Sequence, residues 1–237
     1  MWEFETSVSE VIQRTPTIKS FRFLVEAKNA HYQSGQFFFV IIKPNEQELL
    51  HHVSFSSSPT ETGYIEFTKK ITASEFSQSL ARMQPGAWMR LRGPVGEFIL
   101  PKKPTKLVFV CAGIGITPIR SMLRYIADKN LAHDAILIYS NSSFEEIAFR
   151  EDLELLNAAH PNIRVEHVLG GPDLPPDWKG KAGAINKDMI ADLVPDYESR
   201  RFYVCGPPRI VQLAEDQLIA LGVPGDTIKK DYFTGYN

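Results

Sequence analysis

The 237-residue chain is poor in three things: it has two cysteines, no dense stripe of Lys and Arg, and no apolar run long enough to cross a bilayer. Each scarcity excludes something. Lys and Arg number 26 against 28 Asp and Glu, so no basic face is present of the kind that a phosphate-backbone partner demands, and nucleic acid is excluded as a partner. The lack of a long apolar run excludes a membrane-spanning helix, and the opening "MWEFETSVSE" lacks the charged-then-apolar order of a secretory signal. Cys111 and Cys205 each close an apolar, β-rich run, which reads as two reduced thiols rather than a disulfide. Two cysteines also cannot supply the four thiolates of an iron–sulfur cluster. The expectation is a cytoplasmic protein.

What is present suits two modest cores, with 43% hydrophobic and 23% charged residues. The first hundred residues read as strands and turns. In "IKSFRFLVE", Phe21, Phe23 and Val25 share one face and Arg22 takes the other. "GQFFFVII" reads as a strand buried on both faces, and "GYIEFTKK" and "AWMRLRG" alternate. The one helix signal here is "SEFSQSLARM", with Ser74 as N-cap and Phe76, Leu80 and Met83 at helical spacing. Short strands with one helix predict an antiparallel β-barrel over residues 1–102.

Beyond "LPKKPTK" strands and helices alternate. "LVFVC", "AILIYS", "IRVEHVL" and "RFYVC" read as four strands. Between and after them lie helices with Ile119, Met122, Leu123 and Ile126, or Ile210, Leu213, Ala214, Leu218 and Leu221, on one face. That rhythm predicts an α/β parallel-sheet domain over 103–237. Its first strand ends in "AGIGITP". Gly113 and Gly115 let backbone approach a phosphate, the next helix presents free N–H groups, and Pro118 fits its first turn. Read alone, the turn is also a tight strand–helix connection with structural glycines. It lacks the third glycine of the dinucleotide fingerprint, and "YSNSS" stands where the ribose-binding acid normally ends the second strand.

Taken in order, the barrel, "HHVSFSSSP", "AGIGITP", "CGPP" (Cys205–Pro208) and "KKDYFTGYN" resemble the ferredoxin–NADP reductase superfamily, from about Glu3 to Asn237. The resemblance implies a flavin, FAD or alternatively FMN, on the barrel and NAD(P)H on the second domain. It sets "HHVSFSSSP" against the family's Arg-x-Tyr/Phe-Ser-x-x-Ser, with Ser54 near the flavin N5 and Ser57 near the pyrophosphate. His51 then stands where the family has arginine, a partly charged and pH-dependent phosphate partner, and Val53 stands where it has a stacking aromatic. The same resemblance implies flavin contacts from Phe67 and Thr68 and from Ser74, Phe76 and Ser77 at the helix start. "RGPVGEF" matches a turn that closes the barrel.

For the nucleotide it implies Gly113, Ile114, Gly115, Ile116, Thr117 and Pro118 at the pyrophosphate, and Ser140 and Asn141 after the second strand. Cys205, Gly206 and Pro207 fall at the nicotinamide. Asp231 and Phe233 fall at the terminal acid and flavin-covering aromatic, with Tyr232 and Tyr236 as rivals. Ser54, Cys205, Asp231 and Phe233 form the expected catalytic set, with no metal. No cation follows "YSNSS" until Arg150, and Glu145 and Glu146 would repel a 2′-phosphate, which favours NADH unless Arg200 or Arg201 folds over the site. The implied reaction passes a hydride from NAD(P)H to flavin and electrons to a separate acceptor such as a ferredoxin, flavodoxin or oxygenase component. A flavin or ferric-chelate reductase, and a non-enzymatic nucleotide-binding sensor, are the alternatives on the same scaffold.

Overall fold

A computed structural model describes residues 1–25 and 31–234. By its contacts the chain divides into two compact units, Met1–Leu100 with Thr117–Asp128, and Pro101–Ile116 with Lys129–Asn237.

Unit 1 holds two antiparallel sheets. One has the order β1 (Trp2–Ser7), β7 (Trp88–Val95), β4 (Phe37–Ile42), β5 (Leu49–Ser54); the other runs β2 (Glu10–Gln13), β3 (Ile18–Leu24), β6 (Tyr64–Lys70). A bridge between Phe55 and Phe67 joins them. Their shared core is aromatic: Phe67 stacks on Phe21 at 5.0 Å and Phe23 at 5.8 Å, and Phe38 meets Phe55 at 4.4 Å. Such rings bury large apolar areas at little entropic cost.

Two strand readings change. β4 is not buried on both faces throughout, because Phe37 and Phe39 are half-exposed and Arg92 lies over the Phe39 ring at 4.9 Å. β6 buries its polar face as well as its apolar one. There the Glu66 carboxylate accepts from Arg14 (2.9 Å), Arg22 (2.8 Å) and Ser56 (2.9 Å), which is how an acid can stay buried. Helix α1 (Glu75–Ala81) starts at Ser74, whose side chain accepts from the Ser77 N–H.

Unit 2 is a six-stranded parallel sheet. It runs β11 (Lys181–Ala182), β10 (Ile163–Leu169), β9 (Asp134–Asn141), β8 (Lys106–Ala112), β12 (Arg201–Gly206), β13 (Ile228–Tyr232). Six strands replace the four expected. The tail strand β13 escaped notice because only Ile228 is fully buried, so its pattern is that of a polar edge. The strand order reverses between β8 and β12, and their carboxyl ends therefore flank the crevice where open α/β sheets take ligands. Helices α3 (Arg150–Ala159), α4 (Lys187–Leu193) and α5 (Pro208–Ala220) complete the unit. In α5 the buried residues are Val211, Ala214 and Leu218, whereas Leu213 points to solvent. Helix α2 (Ile116–Asp128) follows β8, and its Thr117–Asp128 stretch packs in unit 1.

Candidate functional site

In unit 1 the predicted flavin residues sort into walls and polar groups. Val53 and Phe67 are in the core, and Phe76 is buried with its ring 5.0 Å from that of His51. Ser57 is fully buried, with Oγ 2.9 Å from the Tyr32 hydroxyl and accepting from the Glu66 N–H at 2.9 Å. Thr68 Oγ1 bonds to Ser20 (2.7 Å) and Ser56 (2.8 Å), and Ser77 Oγ accepts from Thr72 Oγ1 at 3.1 Å. These three hydroxyls are engaged inside the barrel. Ser54 ends β5, nearly buried, and Ser74 is spent on its cap.

His51 is not partly charged near neutrality. Burial, with Lys69 and His52 adding repulsion, pushes its imidazolium down to about 4. His52, stacked 5.3 Å from it, is lowered by burial and by Lys69. The cation at this place is Lys69, only 3% exposed, which burial lowers to about 8. Sequence reading missed it, since "KK" at a strand end reads as a solvated pair. Lys69 Nζ donates to the Lys70 carbonyl at 3.4 Å, and an anion brought against this buried ammonium and its two imidazoles would favour their charged forms, so the donor set fits a phosphorylated cofactor.

In unit 2 the two glycines of the turn serve different ends. Gly113 has φ +50, its carbonyl accepts from the Tyr139 hydroxyl at 3.0 Å, and no atom lies within 4 Å of where a Cβ would be. Its backbone is open to a ligand. Gly115 is a packing residue: a Cβ there would run into the Cys205 carbonyl. The turn leads through Ile114 and Gly115, both buried, into Ile116, Thr117 and Pro118 in the first turn of α2.

Across the strand ends runs a row in register, His167, Tyr139, Cys111, Cys205 and Asp231. Both thiols are buried and burial drives their pKa values up, so neither is a nucleophile. Burial raises Asp231 to about 6, against a hydrogen bond from the Tyr232 backbone. The Phe233 N–H donates to the Gly206 carbonyl at 2.8 Å, holding that aromatic at the end of β12, where Pro207 opens towards α5. Tyr232 is exposed, and Tyr236 lies outside the described residues.

Ser140 and Asn141 close β9, where the Gly170 N–H donates to the Asn141 carbonyl at 2.8 Å. Arg150 lies over the Phe144 ring at 4.4 Å and pairs with Glu154 at 3.3 Å. Arg201 opens β12 and Arg200 immediately precedes it, so both lie at the amino ends of the strands, away from the carboxyl-end crevice. Arg200 Nη2 pairs with Asp134 (2.8 Å) and Nε with Asp196 (2.6 Å), and the bonds from Arg200 Nε and Lys106 to Asp196 hold its carboxyl down to about 2.

Two family models match in order, an oxidoreductase FAD-binding domain over residues 5–99 and an oxidoreductase NAD-binding domain over 109–216. The chain is 27% identical over 218 residues to the glycine betaine monooxygenase reductase subunit of Chromohalobacter salexigens, covering 90% of this chain and 59% of that protein. It is 30% identical over 184 residues to NADH-cytochrome b5 reductase 1 of Pyricularia oryzae, covering 75% and 59%. The chain thus spans little more than half of each relative. In fold it matches the crystal structure of a ferredoxin NADP+ reductase from Neisseria gonorrhoeae with bound FAD and NADP, with TM-score 0.82, 23% identity and coverage of 97% and 98%.

Proposed function

Because the chain belongs to the ferredoxin–NADP reductase-like superfamily of FAD- and NAD(P)-binding oxidoreductases, we propose that it takes a hydride from NAD(P)H onto bound FAD and passes electrons to a separate acceptor. The observation that carries this reading is the open Gly113 backbone at the β8–β12 crevice, beside the buried Cys205 and the half-buried Asp231 that pairs with it in register. A phosphate reaches an unobstructed turn there, and a neutral ring meets a surface with no fixed charge from sulfur.

The flavin, when bound, supplies the hydride acceptance and the onward electron delivery. The chain's own residues bind, orient and exclude water. Lys69, with His51 and His52 beside it, would supply the positive side of the flavin phosphate site. Ser54 offers its hydroxyl at the end of β5 to the flavin ring. The Gly113–Pro118 turn takes the nucleotide pyrophosphate, with Ser140 and Asn141 towards its ribose. Cys205 stays protonated as a small packing surface for the nicotinamide, and Asp231 can hold a proton next to it at slightly acid pH. Phe233 is the aromatic that would cover a flavin face.

The β9 end offers hydroxyls and an amide without a cation, and Arg200 is committed elsewhere, which supports NADH as donor. Two cysteines cannot hold a four-thiolate cluster, so the electrons leave these residues for an acceptor outside them. The relatives named above, a monooxygenase reductase subunit and a cytochrome b5 reductase, support a protein acceptor, either an oxygenase component or a cytochrome.

The test is to purify the protein, release and identify its flavin, and assay NADH and NADPH oxidation with an artificial one-electron acceptor. FAD retained with NADH-driven turnover supports the reading. A protein that binds neither FAD nor FMN after reconstitution contradicts it, and activity only with added free flavin points instead to a flavin reductase.

A further inference from the structure

The Thr117–Asp128 stretch of α2 carries a polar system that neither core nor turn accounts for. The Arg120 guanidinium side chain is 10% exposed and grips the Glu61 carboxylate with both arms, Nη2 to Oε1 at 2.9 Å and Nη1 to Oε2. Nη1 also donates to the Ser56 carbonyl at 3.0 Å. One residue on, Ser121 Oγ donates to the Ser57 carbonyl at 2.7 Å. At the far end Thr60 Oγ1 donates to the Asp128 carboxylate at 2.6 Å. Glu61 is itself fixed, accepting from the Ser58 N–H at 2.7 Å and the Tyr64 hydroxyl at 2.8 Å.

Adhesion does not need this. Ile119, Met122, Leu123 and Ile126 are fully buried, and Gly35 leaves no room for a Cβ against Met122. A buried ion pair is weak evidence for stability, since apolar residues of similar volume do as well or better. What a forked guanidinium adds is geometry: two parallel bonds to one carboxylate and a third to a carbonyl permit a single placement. The two segments so joined are specific. One starts at Thr117 and Pro118 in the nucleotide turn. The other, Ser54–Ser58, starts at the hydroxyl assigned to the flavin ring.

We infer that Arg120, through Glu61 and the Ser56 carbonyl, is a positioning residue for hydride transfer, registering the first turn of α2 against the Ser54–Ser58 segment. The inference rests on the flavin reductase reading above. Misplacing reacting groups by about 1 Å can cost on the order of a hundredfold in rate, so the clamp acts on the rate rather than on cofactor retention.

The test uses the full chain loaded with FAD, in the wild type and as Arg120→Lys, Arg120→Ala and Glu61→Gln. Flavin content and reduction potential are measured first. The flavin is then reduced anaerobically by a range of NADH concentrations, which separates the limiting rate from nucleotide affinity. The expected result is normal flavin content and potential, with a limiting rate down about tenfold to a hundredfold in Arg120→Ala and partly recovered in Arg120→Lys. Glu61→Gln, which keeps the shape and loses the charge, decides the matter if Arg120→Ala fails to fold, and its limiting rate should fall about tenfold. Wild-type limiting rates in flavin-loaded variants overturn the inference, and so does loss of FAD from Glu61→Gln, which would make the clamp part of the barrel. A wild-type protein whose FAD is not reduced by either nucleotide sinks the reductase reading itself, and the positioning role with it.

Discussion

Asp231 stands opposite Cys205 in the register of the parallel pair β12–β13, and burial lifts its carboxyl to about 6. The folded-state value lies above the ordinary 3.8, so the group's contribution to stability is complete below 3.8 and is lost as pH rises through 6. A shift of about two units corresponds to roughly 3 kcal/mol at most. Asp231→Asn should therefore raise the melting temperature at pH 8 and leave it unchanged at pH 3.5. In the same variant the pH dependence of flavin reduction near 6 should disappear. Equal melting gains at both pH values would show that the carboxyl is not the titrating group.

Lys69 and His51 predict a trade between stability and flavin affinity. Both are bases depressed by burial, so each stabilises the fold least in its acid range: the Lys69 contribution is lost as pH falls through 8, that of His51 as pH falls through 4. Lys69→Met should make the flavin-free protein more stable at pH 7. It should also weaken FAD binding, by about tenfold to a hundredfold for one charge-assisted phosphate contact. His51→Ala, which removes a neutral ring at that pH, should weaken it less. Fluorescence titration with FAD against thermal melts of the flavin-free protein checks both halves, and a Lys69→Met variant with unchanged affinity contradicts the assignment.

Gly113 and Gly115 separate by readout. A Cβ at Gly115 meets the Cys205 carbonyl, so Gly115→Ala should cost about 1–3 kcal/mol by overpacking. Gly113→Ala meets open space and bears only the left-handed backbone, about 1 kcal/mol. Its larger effect should fall on nucleotide affinity. Comparing denaturant midpoints with NADH dissociation constants tests this, and the reverse ranking would contradict it.

Arg200→Gln should lower stability by about 2 kcal/mol, because it leaves Asp134 and Asp196 without their shared cation while both keep access to water. It should leave the ratio of NADH to NADPH activity unchanged. A variant whose ratio moves would place Arg200 at the nucleotide after all.

The strands and helices were legible where burial is one-sided or complete, as in β3, β8 and α1, because there the side-chain period reports the face. Legibility failed where polar groups are buried or apolar ones exposed. β6 hides Glu66, Thr68 and Lys69, β13 shows a polar edge, and Leu213 faces solvent. Of the candidate site, the motif glycines could be named from sequence because their backbone requirements are local, whereas Cys205 and Asp231 are named only through the resemblance to the family. Lys69, Glu61 and Arg120 could not be named either way. Their roles come from partners far away in the chain, as with Arg120 and Glu61, 59 residues apart. His51 could be placed but not titrated, since its charge state depends on what buries it.

The most direct test of the account is a single-turnover experiment: mix the FAD-loaded protein anaerobically with NADH, then separately with NADPH, and follow the visible flavin absorbance. Complete bleaching by NADH, faster than by NADPH, is the expected result. A protein that retains FAD and is bleached by dithionite, yet by neither nucleotide, would contradict hydride transfer as its function.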